Sequence, residues 1–179
     1  MVDPIAASRF GYRLLYAGLA ALVVFVRILP LNAVPVRFPG PDLILCLTLV
    51  WVLRRPDYVP ALLIAGVLLL DDLLAMRPPG LWTLIVLLGT EYLRSREATL
   101  RGIPFALEWL IVGVVIAVMT IVNAVLLALF LIPQAGTSLI VLQALATIAA
   151  YPLVVAATHF VFRLRKAAPG EVDALGHRL

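Results

Sequence analysis

The 179-residue chain is 64% hydrophobic and 13% charged, with a formal net charge of +4. Soluble globular domains are about half apolar and about one quarter charged, so the composition excludes an ordinary soluble domain and indicates an integral membrane protein. A span needs roughly 20 residues, so the length allows five or six spans and leaves no room for a separate soluble domain.

Apolar runs separated by proline, glycine or arginine predict a bundle of about six transmembrane helices. In chain order, their expected bounds are about 14–31, 42–53, 59–75, 80–93, 105–132 and 138–162. Residues 1–166 therefore form a single transmembrane helical domain, and 167–179 form a short polar tail. The second segment covers only about 18 Å as a helix, against a hydrocarbon core of about 30 Å. It is either a short span supported by its neighbours or a re-entrant segment.

The basic residues are divided unevenly between the two predicted membrane faces. With six spans, most arginines and Lys166 collect on one side, and Arg27, Arg37 and Arg77 lie on the other. Because cytoplasmic loops carry the excess of Lys and Arg, this predicts a multi-pass protein with a cytoplasmic C-terminus. The basic segment RLRK after Phe162 favours anionic lipids at this inner face. A re-entrant second segment gives the same charge balance, so the side of the N-terminus stays open.

Two adjacent carboxylates, Asp71 and Asp72, interrupt the apolar run GVLLLDDLLAMRPPG. Ionisable groups are costly inside a span and usually mark a specific contact. Neighbouring helix residues are about 100° apart, so we expect one acid to face inward and the other to face the interface. Arg27 or Arg77 is expected to neutralise the inward acid as an intramembrane ion pair. A packing ion pair, a docking surface and a proton or substrate site all stay open.

Other acids near helix ends suit ordinary ion pairing. Glu91 is expected to reach Arg94 one turn later, and Glu108 lies beside the loop that contains Arg101. The chain has no nucleophile elbow, phosphate loop or zinc-protease helix, and Cys46 is the single cysteine. We therefore expect no enzymatic activity, no cofactor, no metal site and no nucleic-acid partner.

Three segments in order, PDLILCLTLVWVLRRP, GVLLLDDLLAMRPPG and YPLVVAATHFVFRLRK, resemble the rod shape-determining protein MreD family. Family members open a short span with Pro-Asp, which Pro41 and Asp42 match. They also carry an aspartate eight residues before a loop glycine, which Asp72 and Gly80 match. The loop AMRPPG departs from the small residues that are common in the family.

The resemblance implies a six-helix bundle similar to the substrate-binding membrane subunits of energy-coupling-factor transporters. It also implies a non-enzymatic scaffold in the bacterial inner membrane that supports lateral peptidoglycan synthesis by the cell-elongation machinery. The implied partners are a membrane-anchored periplasmic MreC-like protein, an MreB-like filament and the wall-synthesis enzymes.

We hypothesise that Asp72, held by Arg27 or Arg77, orders the following loop so that Pro78, Pro79 and Trp82 present a fixed surface to the MreC-like partner. The role of Asp71 stays open. The alternative function is the substrate-binding membrane subunit of a small-solute, vitamin-type transporter. That alternative predicts a pocket lined by one of the two aspartates together with Asn123 and Gln143.

Overall fold

Helices are the only regular secondary structure in the residues that the structure, a computed structural model, describes: 4–29 and 39–162. No strand occurs in these two ranges, which confirms the all-helical fold class. A one-turn 3-10 helix, Pro56–Tyr58, joins the second and third helices. The helices are α1 (Pro4–Ile28), α2 (Leu43–Arg54), α3 (Ala61–Leu74), α4 (Leu81–Ser95), α5 (Glu97–Arg101), α6 (Phe105–Leu129) and α7 (Thr137–Phe162).

Each of the six predicted apolar segments contains one helix, and the short α5 was not predicted. The segment RLRK, Arg37 and the tail 167–179 lie outside the described residues. Stretches of α1 (Arg9–Ile28), α6 and α7 (Thr137–Val161) are long and apolar enough to cross a membrane. Helices α2, α3 and α4 have 12, 14 and 15 residues, shorter than the roughly 20 residues of a typical span. The six-span arrangement therefore stays a prediction.

Helix α2 forms the centre of the bundle. Its ten consecutive residues from Ile44 to Leu53 are all buried, and it packs against α1, α4 and α7. A helix that is apolar on every face is one that its neighbours surround. Protein side chains of the neighbouring helices therefore surround α2 from Ile44 to Leu53.

Polar contacts inside the apolar core fix α1 against α2. The Thr48 hydroxyl donates to the Ile44 carbonyl oxygen at 2.7 Å, and the Tyr16 hydroxyl lies 2.8 Å from Thr48 Oγ1. The Tyr16 ring also packs on Trp51, with ring centroids 5.7 Å apart. These hydrogen bonds satisfy the polar groups of two fully buried side chains, as burial requires.

Candidate functional site

Asp71 joins three parts of the bundle at one end. Its carboxylate lies 3.0 Å from Arg27 Nη1 in α1 and 3.7 Å from Arg77 Nη1 in the turn after α3. The Asp71 side chain is 2% exposed, whereas Arg27 is 44% exposed and Arg77 is 27% exposed. We name this region, with the start of α2 at Asp42 and the α3–α4 turn (Ala75–Gly80), the aspartate end.

Asp72 performs a different task, because its side chain caps the N-terminus of α4. Its Oδ2 accepts hydrogen bonds from Gly80 N at 3.2 Å, Thr83 N at 3.2 Å and Thr83 Oγ1 at 2.9 Å. The first N–H groups of a helix lack partners in their own helix, and the helix dipole favours a negative charge beside them. Asp72 therefore supplies from α3 the cap that the glycine at the N-cap position has no side chain to supply.

The backbone of Asp72 also ends α3. The Asp72 carbonyl oxygen accepts from Arg77 N at 3.0 Å, and the Leu73 carbonyl oxygen accepts from Met76 N at 3.3 Å. These bonds form a Schellman motif, which needs a left-handed residue after the helix. Met76 takes that place with a φ of 51°, and Gly80 starts the next helix with a φ of 88°. Asp72 and Gly80, eight residues apart, thus bound one turn. The Asp72 backbone bonds to the start of this turn, and the Asp72 side chain bonds to its end.

Two expectations for the acids need correction. Arg27 or Arg77 was expected to hold Asp72, but both lie beside Asp71, so the expected ion pair with an inward aspartate forms at Asp71 instead. One acid was expected to face the interface, but both are buried. The reason is that α1 packs on the face of α3 that carries Asp71, while α4 covers Asp72. Two carboxylates about 100° apart on one helix therefore each meet protein, on different sides.

The Pro-Asp opening of the second segment docks α2 on α7. Asp42 Oδ1 accepts from Leu45 N at 3.0 Å, which makes Asp42 the N-cap of α2. Its backbone N–H donates to Thr147 Oγ1 at 3.0 Å. Cys46 Sγ donates to the Thr147 carbonyl oxygen at 3.3 Å, and Pro41 is exposed. These contacts fix where the short central helix begins.

The residues from Pro78 to Trp82 do not form one outward surface. Pro79 is exposed and Pro78 is half-buried, but the Trp82 side chain is turned into the bundle and is 8% exposed. Trp82 Nε1 has no hydrogen-bond partner among the described residues. Met76 is 95% exposed, so Met76 and Pro79 form the accessible part of the turn. Trp82 therefore belongs to the interior.

A cavity of about 320 Å³ lies where α2 begins. Helices α6 and α7, with 25 and 26 residues, are longer than the 12-residue α2 and leave a space beside Asp42. Residues of the α3–α4 and α6–α7 turns form part of the wall of this space. Asn123 and Gln143 line this cavity as predicted, whereas neither Asp71 nor Asp72 is among its described lining residues. The other polar lining residues are Asp42, Arg77, Trp82, Thr120, Gln134 and Thr147.

The sequence did not predict a second cluster of polar groups, centred on Glu108. The Glu108 side chain is buried, and its Oε1 accepts from the Tyr151 hydroxyl at 2.9 Å and lies 3.8 Å from Arg54 Nη2. This cluster, which we name the Glu108 end, joins α2, α6 and α7. Glu108 was expected near Arg101, whose side chain lies outside the described residues. The Glu91–Arg94 pair is confirmed at 3.1 Å.

Within the described ranges, no group of three or more His, Cys, Asp or Glu side chains has the arrangement of a metal site. The chain matches no protein-family model, no curated protein and no solved structure.

Proposed function

We propose that the chain is a non-enzymatic, MreD-like scaffold of the bacterial cell-elongation machinery, located in the inner membrane with six spans and a cytoplasmic C-terminus. In this role it binds an MreC-like membrane-anchored partner and supports lateral peptidoglycan synthesis, together with an MreB-like filament and the wall-synthesis enzymes. The proposal rests on the sequence resemblance and on the construction of the α3–α4 turn.

The observation that carries the proposal is that Asp72 has two roles: its backbone ends α3, and its side chain caps α4. The resembled family pattern places an aspartate eight residues before a glycine, and in this chain that pair closes one turn through the Gly80 N to Asp72 Oδ2 hydrogen bond. An acid buried only to hold a turn in one conformation is well explained if the turn is a recognition surface. A surface that is ordered before binding loses less conformational entropy when the partner docks.

The accessible surface of this turn continues onto α3. Met76 and Pro79 are exposed on the turn, and Leu70, Leu73 and Leu74 are exposed on the last turns of α3. A helical bundle with short loops can contact a partner mainly through such turns and through its lipid-facing helix surfaces. We assign the MreC-like partner to this combined surface of the turn and the end of α3.

The six-span topology is supported by burial rather than by helix length. Because α1, α4 and α7 enclose α2, its polar ends meet protein groups such as Thr147 instead of hydrocarbon. In this topology Arg54 and Arg94 lie at the cytoplasmic face, consistent with the positive-inside rule.

A second candidate, the membrane subunit of a small-solute transporter, is favoured by one observation. The cavity beside Asp42 is lined by Asn123 and Gln143, and its volume is within the range of small-molecule sites, about 300–1,000 Å³. This candidate requires an ATPase and a coupling protein in the same complex.

The test is to purify the tagged full-length chain at native expression from its own membranes in mild detergent and to identify the co-purifying proteins by mass spectrometry. An MreC-like protein and wall-synthesis enzymes are the expected result. Recovery of ATPase subunits with a membrane coupling protein, and no MreC-like protein, would overturn the scaffold proposal in favour of the transporter.

Two variants make the test specific for the turn. Asp72→Ala removes the side chain that caps α4, and Met76→Asp places a charge on the exposed turn without touching the cap. Both should lower partner recovery at least about tenfold, the equivalent of about 1.4 kcal/mol, while Asp57→Asn, a change at an exposed acid between α2 and α3, should not. Equal recovery with Met76→Asp and Asp57→Asn would refute docking at the turn.

A further inference from the structure

The cavity beside Asp42 contains polar groups that the fold does not use. The Thr120 and Thr147 hydroxyls donate to carbonyl oxygens of their own helices, at 2.8 and 2.7 Å. In contrast, the side-chain amides of Asn123 and Gln143 make no hydrogen bond to another described residue. The Arg77 guanidinium meets Asp71 only at 3.7 Å, beyond hydrogen-bond distance. Together with Trp82 Nε1, four side chains with donor groups therefore line this cavity without hydrogen-bond partners among the described residues.

Two opposite charges also line the same cavity: the Arg77 guanidinium and the Asp42 carboxylate. Asp42 Oδ1 accepts the hydrogen bond that caps α2, so Oδ2 remains as an acceptor for a ligand. An anion in the cavity would be attracted by Arg77 and repelled by Asp42. A cation would be attracted by Asp42 and repelled by Arg77. A ligand that carries both charges satisfies both side chains, because each of its groups meets the opposite sign.

The remaining wall is apolar and the volume is modest. Leu127, Ile132 and Ile140 line the cavity together with the polar groups. About 320 Å³ is enough for a small organic group and is at the low end of the range for small-molecule sites. Small-molecule sites combine apolar wall residues with convergent polar groups, and this cavity has both.

We propose that this cavity binds a zwitterionic group, with the anionic moiety at Arg77, the ammonium at Asp42, and the amides of Asn123 and Gln143 as additional hydrogen-bond partners. The same chemistry comes from two sources: a free zwitterionic solute, or the head group of a lipid such as phosphatidylethanolamine. The inference does not rest on the scaffold proposal, since it concerns the isolated chain. Arg77 lies in the docking turn, but its guanidinium is not part of the surface that is assigned to the partner.

The experiment compares both sources on the purified full-length chain in lipid nanodiscs. One arm replaces part of an all-phosphatidylglycerol bilayer with phosphatidylethanolamine. The other arm keeps phosphatidylglycerol and adds glycerophosphoethanolamine, the same head group without acyl chains. At saturation we expect at least one arm to raise the thermal unfolding midpoint by about 4 °C or more, because a ligand that binds only the folded state stabilises it.

Charge variants show whether the stabilisation comes from this cavity. Asp42→Asn removes the charge but keeps the helix cap, since Asn caps helices as well as Asp does; Arg77→Gln removes the guanidinium. Each variant should weaken the midpoint response at least tenfold in apparent affinity. The matched controls Asp57→Asn and Arg96→Gln change exposed charges elsewhere and should respond as the unmodified chain does.

The outcomes separate clearly. A response in the lipid arm alone supports the site and identifies a lipid head group, and a response to glycerophosphoethanolamine supports it with a free solute. No response in either arm overturns the proposal. A response that only one of the two charge variants weakens also overturns it, because a ligand with a single charge would then be bound.

Discussion

The aspartate end and the Glu108 end both pair a buried acid with arginine, but they differ in how far water reaches the pair. At the Glu108 end the carboxylate is 2% exposed and its partner Arg54 is 10% exposed. At the aspartate end Asp71 is equally buried, but Arg27 is 44% exposed and a cavity opens beside Asp42. The same two chemical groups are thus enclosed by protein in one place and partly accessible to solvent in the other.

This contrast has an energetic consequence. Removing one partner of an enclosed ion pair leaves a charge without compensation in a medium of low dielectric constant, whereas an exposed guanidinium is already largely solvated. Mutations should therefore cost most at the Glu108 end, less at the cap of α4 and least at Arg27. Each of the following changes tests one step of that order by the free energy of unfolding in mild detergent.

The largest effect is expected from Arg54→Met. This change leaves the Glu108 carboxylate buried and should destabilise the chain by about 3 kcal/mol. The double variant Arg54→Met with Glu108→Gln should recover most of that loss, because the buried negative charge that had faced Arg54 is then also removed. A cost for Arg54→Met no larger than that for Arg27→Gln would refute the contrast between the two ends.

The next effect concerns the cap of α4. Asp72→Ala removes the acceptor for Gly80 N and for both donors of Thr83, and should cost about 2 kcal/mol, the upper end of the range for a lost helix cap, because three donors lose their acceptor. The neighbouring exposed Leu73, changed to Ala, should cost less than about 0.5 kcal/mol. Equal costs for the two variants would show that Asp72 does not hold α4.

A smaller effect, of opposite sign, is expected at the end of α3. Met76 adopts a φ of 51°, a conformation that costs an ordinary residue about 1–2 kcal/mol and glycine almost nothing. Because glycine also makes the unfolded chain more flexible, Met76→Gly should stabilise the protein by about 0.5–1 kcal/mol. The reverse test, Gly80→Ala, places a side chain at a φ of 88° and should destabilise it; stabilisation there would refute the turn geometry.

The smallest effect is expected from Arg27→Gln, about 0.5 kcal/mol, because the guanidinium is partly solvated and Arg77 remains near Asp71. The loss should shrink further in 0.5 M salt, where exposed charges are screened. A cost above about 2 kcal/mol would mean that Arg27 is enclosed like Arg54.

The local features of this fold were predictable from the sequence, and most long-range pairings were not. Hydrophobic runs and their Pro and Gly boundaries predicted a helix in each apolar segment, and the alternative transporter function predicted that Asn123 and Gln143 line a pocket. Asp71 and Asp72 could not be distinguished, because their partners depend on which helix covers which face of α3. The contacts of Glu108 with Tyr151 and Arg54 likewise form only when α2, α6 and α7 pack together. No local sequence pattern predicts that packing.

The interior position of Trp82 has a similar explanation. It lies one residue after the start of α4, where an exposed aromatic side chain is common at a membrane interface. In the first turn of α4, Thr83 bonds to the Asp72 carboxylate of α3, and the Trp82 side chain is buried. The packing of α4 on α3 is not encoded by the local sequence around Trp82.

The most direct test of the docking turn is site-specific photo-crosslinking in native membranes, with a benzophenone amino acid placed at Met76 or at Leu62. Both positions are highly exposed, at 95% and 88%, and they lie at opposite ends of α3. The account predicts a crosslink from Met76 to an MreC-like membrane protein and none from Leu62. A crosslink to that partner from Leu62 alone, or from neither position, would contradict it.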